Sequence, residues 1–222
     1  RFLLYAVWQN AAEKRPRERK PMTGIIDYDA GNLRSVAKAL EALGETPVIS
    51  RDPEQLMEAD RVILPGVGSF GDAMEKLNQY GLVSVIKEIA DSKKPFLGIC
   101  LGLQLLFESS EESAGVQGLG ILPGKILRIP DCEGLKIPHM GWNSLSIAKG
   151  ARLFSGIENG AYVYFVHSYY CKAEEESIVA ASTEYSAHIH ASVERDNVFA
   201  CQFHPEKSGS IGLQILNNFI HL

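Results

Sequence analysis

Near the middle of the chain stands the run Pro95-Phe-Leu-Gly-Ile-Cys-Leu-Gly102, which predicts a buried strand followed at once by a helix over Leu101–Glu108. The glycines on either side of Cys100 permit a sharp strand-to-helix turn, and such a turn exposes the middle side chain at the edge of a sheet. A helix start also favours negative charge, which for cysteine is the reactive thiolate. The run therefore predicts a nucleophilic cysteine, with a buried core cysteine as the alternative.

The same succession of short apolar runs and helical segments continues toward the N-terminus. Further strands are predicted at Ile25-Ile26, Pro47–Ile49 and Arg61–Leu64. A helix with apolar residues at helical spacing follows the first of them over Leu33–Leu43, and another helical stretch runs on to Lys94. Short buried strands separated by helices are typical of an α/β fold with a parallel sheet.

From Gly118 onward the pattern changes to short strands and turns, which predicts a mixed or antiparallel half. The predicted strands there are Lys125–Ile129, Ser144–Ile147, Tyr162–Val166, Ile178–Ala181 and Phe199–Phe203. An amphipathic helix between Ile211 and Ile220 follows them. No linker divides residues 22–222, so we expect one domain there. Residues 1–21 are expected to be an extension that is disordered or not native.

The charge of the chain is unevenly distributed. Residues 1–21 hold six basic and two acidic side chains, although the whole chain has a net charge of -5. The remainder is therefore acidic, which argues against binding of a nucleic-acid backbone as the main function. No apolar run approaches the roughly 18 residues that would suggest a membrane-spanning helix.

The cysteines show neither a redox nor a metal-binding spacing. No two of them form a CxxC pair, and a chain of this size does not need disulfides, so we expect reduced thiols and a cytoplasmic protein. His188 and His190 flank a single residue, but no carboxylate or thiol pattern accompanies them, so we expect no metal site. Apart from Cys100, the cysteines are expected to be small hydrophobic residues; they are Cys132, Cys171 and Cys201.

A second motif, Phe203-His-Pro-Glu206, supplies the groups that a nucleophilic cysteine needs. An imidazole takes the thiol proton and returns it to the leaving group, and a carboxylate orients the imidazole. In an extended chain, residues i and i+2 point to the same side, so we expect His204 and Glu206 on one face. Taken alone, the motif would indicate a surface turn; the cysteine elbow favours the catalytic interpretation.

A glycine-rich loop, Pro65-Gly-Val-Gly-Ser-Phe-Gly71, follows the third predicted strand. Its backbone N–H groups at Gly66, Val67 and Gly68 are candidates for stabilising the oxyanion of a tetrahedral intermediate. The N–H of Leu101, directly after the cysteine, is another candidate donor. A phosphate-binding loop is the alternative, but neither the Walker spacing nor a complete GxGxxG is present.

Together these motifs resemble the class I (triad) glutamine amidotransferases, and more closely the glutaminase subunits of imidazole glycerol phosphate synthases. The likeness runs from about Thr23 to the C-terminus. The residues that carry it lie in Asp27–Leu33, Pro65–Phe70, Gly98–Gly102, Pro138–Asn143, Tyr164–Tyr169 and His204–Ser208.

The resemblance implies a central, mostly parallel, flavodoxin-like sheet flanked by helices. It also implies that Cys100 attacks the amide of L-glutamine, with His204 and Glu206 completing a triad. By the same likeness, the glutamine-contacting residues are expected to be Gln104, Glu112, Ser168 and Tyr169, and the interface or coupling residues Asn32 and Lys207. No cofactor or metal is implied.

The partner that the resemblance implies is a (β/α)8-barrel cyclase subunit in a heterodimer. Ammonia released from glutamine would pass to that barrel, where imidazole glycerol phosphate and an aminoimidazole carboxamide ribotide are made in histidine biosynthesis. The alternatives are an amidotransferase of another pathway (anthranilate, aminodeoxychorismate, GMP or pyridoxal phosphate synthesis), a cysteine peptidase or thiol esterase of related fold, and a non-catalytic interaction domain. Lys207-Ser208 and the Pro138–Asn143 run favour the histidine pathway.

Overall fold

The computed structural model describes residues 21–222, so the predicted extension of residues 1–21 lies outside the described residues except for Pro21. The strands are β1 (Met22–Ile26), β2 (Thr46–Ser50), β3 (Arg61–Gly66), β4 (Phe96–Cys100), β5 (Ser109–Ser110), β6 (Gly124–Arg128), β7 (His139–Ser144), β8 (Ser146–Ile147), β9 (Tyr162–His167), β10 (Tyr169–Ala173), β11 (Val179–Glu184), β12 (His188–Arg195) and β13 (Val198–Cys201). The α-helices are α1 (Leu33–Ala42), α2 (Pro53–Glu58), α3 (Phe70–Gln79), α4 (Leu82–Asp91), α5 (Leu101–Leu105) and α6 (Gly209–Ile220). Short 3-10 helices cover Arg152–Phe154, Glu176–Ile178 and Pro205–Lys207. None of the helices in this described part is long and apolar enough to span a membrane.

Eight strands form the central sheet in the order β2-β1-β3-β4-β13-β12-β11-β8. The strands from β2 to β13 run parallel to one another, and β12, β11 and β8 continue the sheet antiparallel. This order confirms the predicted α/β fold, with a mostly parallel sheet and an antiparallel C-terminal part. It also brings the carboxyl ends of β3, β4 and β13 side by side at one edge, which is where ligands bind in open α/β sheets.

Helices cover both faces of the sheet because side chains alternate along each strand. In β1, Ile25 packs in the cluster that contains residues of α1 and α6, whereas Ile26 packs in the cluster of α2, α3, α4 and α5. In β4, Leu97 and Phe96 divide between the same two clusters. Burial on both faces explains why these strands read as continuous apolar runs.

Two predicted helices are shorter than the sequence suggested. The helical stretch before Lys94 breaks at Gly81, which has a left-handed φ of 67°, and gives α3 and α4. The predicted helix Leu101–Glu108 ends at Leu105, because the N–H groups of the following loop bond to its last carbonyls. Leu119 N–H donates to Leu105 O at 2.8 Å, and Ile121 N–H donates to Leu106 O at 2.9 Å.

The predicted strand Ser144–Ile147 is wrong as a single strand. The chain changes sheets at Leu145: β7 pairs with β9 in a two-stranded ribbon, and the short β8 pairs with β11 at the edge of the central sheet. Leu145 itself is buried, and its backbone bonds to the turn at Gly160 and Ala161. A third sheet, in the order β10-β6-β5, lies in the same half of the chain.

Candidate active site

Cys100 is the last residue of β4, and it adopts a rare backbone conformation with φ 54° and ψ -109°. The turn is as tight as the sequence predicts. A Cβ added to Gly102 would lie 1.8 Å from the carbonyl oxygen of Leu64, and one added to Gly98 would lie 2.9 Å from the backbone of Gly102. Only glycine therefore fits at either position, and the two glycines let β4 turn directly into α5.

His204 and Glu206 follow β13, the strand that pairs with β4. His204 Nδ1 and Glu206 Oε1 are 2.7 Å apart, and both side chains are almost completely buried. The expected reason for their proximity was wrong: Glu206 lies in the 3-10 helix Pro205–Lys207 and not in extended chain. The turn of that helix, which begins at Pro205, brings the carboxylate back to the imidazole.

The protonation of this pair depends on its neighbours. Burial lowers the pKa of His204, but the interactions with Cys100 and Glu206 outweigh it and raise this pKa to about 9. For Glu206, burial acts in the opposite direction and raises the pKa. The hydrogen bond and the charge of His204 nevertheless hold the pKa of Glu206 below its usual value. The two side chains therefore form an imidazolium–carboxylate pair at neutral pH.

The second ring nitrogen of His204, Nε2, is available for proton transfer. Nε2 is buried and makes no hydrogen bond of acceptable geometry within residues 21–222. The sulfur of Cys100 is nevertheless close enough to raise the pKa of His204. The two groups are therefore adjacent, and Nε2 is available to exchange a proton with the reacting atoms.

Further hydrogen bonds hold the pair in place. Asn32, which was predicted to be an interface or coupling residue, donates from Nδ2 to Glu206 Oε1 at 2.5 Å. Ser208 Oγ donates to the carbonyl of His204 at 2.7 Å and accepts the N–H of Tyr164 at 2.9 Å. These bonds fix Glu206 from α1 and the His204 backbone from β9.

A pocket of about 460 Å³ opens beside Cys100 and His204. All four residues expected to contact glutamine line it, as does Lys207, which was expected at an interface. Gln104 is buried, and its amide donates to Tyr169 O at 2.9 Å. Glu112 accepts the N–H of Phe70 at 2.8 Å. The lining residues named in advance are Gln104, Glu112, Ser168, Tyr169 and Lys207.

The glycine-rich loop borders the same pocket through Val67 and Gly68, and Leu101 lines it as well. Gly66 is part of β3 and pairs with Cys100, so it belongs to the sheet more than to the loop. Gly68 has a φ of 105°, which favours glycine. The buried hydroxyl of Tyr28 donates to Pro65 O at 2.9 Å and anchors the start of the loop.

Besides Pro138 and Val166, which line the pocket, sequence reasoning missed three residues of the site. They are Tyr28, Gln202, which lies 3.7 Å from the Cys100 sulfur, and His167, which lines the pocket. Strand alternation could have identified Gln202, because Cys201 and Phe203 face the apolar core and the residues between and after them must face the other way. Tyr28 and His167 carry no such local signal.

The other cysteines, and the histidine pair of the sequence analysis, lie outside the pocket. The four cysteines are free; Cys171 and Cys201 are buried, and burial raises the pKa of each thiol above its usual value. His188 and His190 lie on β12, where each is near a glutamate. Within residues 21–222 no group of three or more His, Cys, Asp or Glu side chains is arranged to hold a metal ion.

Comparison with known proteins gives consistent results. The family model described as glutamine amidotransferase class-I matches residues 24–222. The imidazole glycerol phosphate synthase subunit HisH of Methanocaldococcus jannaschii is 53% identical over 201 residues, which cover 90% of this chain and 100% of that protein. The subunit of the same name from Aquifex aeolicus is 53% identical over 198 residues, or 89% of this chain and 95% of that one. A crystal structure described as a glutamine amidotransferase has a TM-score of 0.70 at 20% identity, covering 90% of this chain and 97% of its own, and it supports the fold alone.

Proposed function

The chain belongs to the class-I glutamine amidotransferase family and within it to the HisH subunits of imidazole glycerol phosphate synthase, and from that premise we propose how its own residues hydrolyse glutamine. The observation that carries the proposal is the convergence of Cys100 with the buried His204–Glu206 pair at one pocket. A nucleophile, a base and an orienting carboxylate in this arrangement are suited to acyl transfer.

In the first half-reaction, the Cys100 thiolate attacks the amide carbon of glutamine. A C–S bond forms, and the carbonyl electron pair moves onto oxygen. The imidazolium of His204 gives its Nε2 proton to the amide nitrogen, the C–N bond breaks, and ammonia leaves. A glutamyl thioester on Cys100 remains, and His204 is neutral.

In the second half-reaction, water replaces ammonia. Neutral His204 takes a proton from water as the oxygen attacks the thioester carbon. The C–S bond then breaks, and glutamate and the Cys100 thiolate are released, with His204 protonated again. The Glu206 carboxylate holds the imidazole in position and stabilises its charge in both halves, and Asn32 holds Glu206.

The negative oxygen of each tetrahedral intermediate needs hydrogen-bond donors. We assign this role to the backbone N–H groups of Leu101 and of the loop at Val67 and Gly68, because all three residues line the pocket. A single donor of this kind is typically worth about 3 kcal/mol in the transition state. Gln104, Glu112, Ser168 and Tyr169 are proposed to hold the rest of the glutamine molecule.

Ammonia is proposed to pass to a (β/α)8-barrel cyclase subunit that docks beside the pocket. An exposed apolar surface suits this role: Met140, Trp142 and Tyr162 on the β7–β9 ribbon are 61%, 55% and 59% exposed. The ring of Trp142 reaches within 4.0 Å of a Cβ position on Gly209, just after the triad turn. Exposed Lys207 lines the pocket two residues before Gly209.

The decisive experiment measures glutamate release from glutamine by the chain alone and by its complex with the barrel subunit and nucleotide. We expect hydrolysis in the complex, and we expect Cys100→Ser to abolish it while the circular dichroism spectrum is unchanged. Activity that survives in a folded Cys100→Ser complex would refute the assigned mechanism. The exposed Cys132→Ser serves as the matched control and should retain full activity.

A further inference from the structure

Gln202 is a buried polar side chain that the mechanism above does not use. It is fully buried, and its Nε2 lies 3.7 Å from the sulfur of Cys100. This separation is within the range of a hydrogen bond to sulfur. Its Oε1 lies 3.1 Å from Nε2 of Gln104. Both polar atoms of this buried amide therefore have a partner, and the partner of the nitrogen is the nucleophile itself. Such a contact needs a physical explanation.

These contacts form a chain of hydrogen bonds from Cys100 through the two glutamine amides to the backbone carbonyl of Tyr169. That carbonyl fixes which group donates at each step. Tyr169 O can only accept, so the amide group 2.9 Å from it on Gln104 must be the nitrogen. The same nitrogen lies 3.1 Å from the amide of Gln202, which must therefore present its oxygen. Gln202 then has only its N–H group to direct at the Cys100 sulfur. Reversing the Gln202 amide would bring two donors together in a buried site.

Gln202 and His204 directly follow β13, and both interact with Cys100. Cys201 and Phe203 point into the apolar core beneath the sheet. Gln202 and His204 alternate with them: the Gln202 amide lies against the Cys100 sulfur, and His204 lines the pocket. The N–H of Gln202 donates to Ala191 O at 2.8 Å, which holds its backbone against β12. The segment directly after β13 thus brings one neutral donor and one imidazole to the nucleophile.

We propose that Gln202 is a positioning residue that donates a hydrogen bond to the Cys100 thiolate, with its direction imposed by Gln104 and Tyr169 O. A hydrogen bond to a charged acceptor is stronger than one to a neutral acceptor, so the contact favours the thiolate over the thiol. It also fixes the position of the sulfur in the pocket lining. The inference rests on the proposed function, because it concerns the same nucleophile.

Other titratable groups also act on Cys100. They are His204, whose positive charge favours the thiolate, and Tyr28 and Cys201, which interact with it electrostatically. Burial raises the pKa of the Tyr28 hydroxyl and that of the Cys201 thiol, so both stay neutral near pH 7. Gln202 is therefore the neutral donor, and His204 the charged one, that favour the anionic sulfur.

The test uses two substitutions of Gln202 and one control. Gln202→Glu is close in shape and keeps an acceptor for Gln104, but it replaces the N–H that faces sulfur with an acceptor. Gln202→Met removes both hydrogen bonds and keeps most of the volume. Ser192→Ala is the control: Ser192 is equally buried on the adjacent strand β12, and its hydroxyl donates to Ala200 O, away from the pocket.

The first measurement is the rate of Cys100 alkylation by iodoacetamide as a function of pH, followed by mass spectrometry of the Cys100 peptide. We expect the curve to move to higher pH in Gln202→Met, further in Gln202→Glu, and not at all in Ser192→Ala. The second is kcat and KM for glutamine in the complex with the barrel subunit. We expect kcat to fall about tenfold or more in both Gln202 variants, with little change in KM.

Alkylation curves that match wild type in folded Gln202→Glu and Gln202→Met, with kcat within twofold, would overturn the proposal. A general loss of structure would show in the melting temperature, and Ser192→Ala calibrates that loss. Failure of the proposed function is a separate result: the wild-type complex would then not hydrolyse glutamine, whereas the alkylation comparison would still report the contact.

Discussion

At the scale of single residues, Cys100 combines a rare backbone conformation with almost complete burial. A non-glycine residue with φ 54° and ψ -109° is costly, by roughly 1–3 kcal/mol. The elbow holds Cys100 in that conformation because Gly98 and Gly102 allow the neighbouring backbone to approach closely. The same elbow places the sulfur beside His204 and Gln202, so the strain and the proposed reactivity have one cause.

Selective modification of Cys100 is the first prediction. A glutamine analogue with an electrophilic carbon should label Cys100 ahead of the other three cysteines and abolish hydrolysis. Cys171 and Cys201 are fully buried neutral thiols, and Cys132 is exposed but lies outside the pocket. Peptide mapping after labelling checks this. Added glutamine should protect Cys100 from labelling, whereas a simple alkylator should still label Cys132. The assignment would be contradicted if the analogue labelled Cys132 and activity was lost.

The second prediction concerns pH. The proposed mechanism needs a protonated His204 to release ammonia, so activity should fall as the pH rises through the pKa of His204, which is raised to about 9. Glu206→Gln removes one of the groups that raise this pKa. The alkaline limb of kcat/KM should therefore move to lower pH, by roughly one pH unit or more.

The pH profile of the complex with its barrel subunit is the measurement. Glu194→Gln is a suitable control, because Glu194 is also largely buried but accepts its hydrogen bonds from Arg152 and Leu153, away from the pocket. An alkaline limb that stays in place in Glu206→Gln would show that Glu206 does not set the protonation of His204.

At the scale of elements, the end of β3 combines a fixed part and an adjustable part. Tyr28 holds Pro65 O, and Gly66 pairs with Cys100, so this part of the strand is anchored. Gly68 has a left-handed φ and open space around the position of an added Cβ. Any reorientation of the oxyanion donors is therefore expected in the peptides around Val67 and Gly68.

The third prediction follows from that division. Gly68→Val would strain the backbone at a φ that β-branched residues avoid, and it should hinder alignment of the donors. We expect the ratio of partner-stimulated to basal glutamine hydrolysis to fall about tenfold or more. Gly66→Val is not an equivalent test, because its Cβ would lie 2.1 Å from the hydroxyl of Tyr28.

Gly44→Val is the matched control for this prediction. Gly44 has a φ of 85°, open surroundings and a place after α1. The control should lose stability through the same kind of backbone strain and keep its stimulation ratio. A ratio that is unchanged in Gly68→Val, or an isolated wild-type chain as active as the complex, would mean that the donors are already in place without the partner.

At the scale of the whole molecule, the pocket in which ammonia is proposed to form adjoins the ribbon that carries the proposed docking surface, because the N–H of His204 donates to Tyr164 O on β9 at 3.0 Å. The fourth prediction is that the partner needs only ammonia from this chain. A complex containing Cys100→Ala should form no product from glutamine, but it should form product at nearly the wild-type rate from ammonium salt at raised pH. Product formation is measured with the cyclase nucleotide in both cases.

A complex that uses neither nitrogen source would contradict this view if the partner is active with ammonium on its own. Trp142→Ser provides the complementary variant. It changes an exposed ring outside the pocket, so it should weaken association with the barrel subunit and leave the Cys100 site intact.

The sequence by itself determined the local signals of this protein. Glycines around Cys100 specify the elbow because larger side chains do not fit the turn, and the alternation of apolar runs with helices specifies a parallel sheet. The motif at His204 and Glu206 is local as well, although its 3-10 turn was not foreseen. These features depend on residues close together in the chain, which is why a linear pattern indicates them.

Only the tertiary structure decided which distant residues meet. Gln202 and Cys100 are 102 residues apart, and Asn32 and Glu206 are 174 apart. They touch because β13 inserts beside β4 and α1 packs near the triad turn, and no local pattern encodes that order. The raised pKa of His204 has the same origin: burial lowers this pKa, and the interaction with distant Cys100, which helps to raise it, exists only once the strands are assembled.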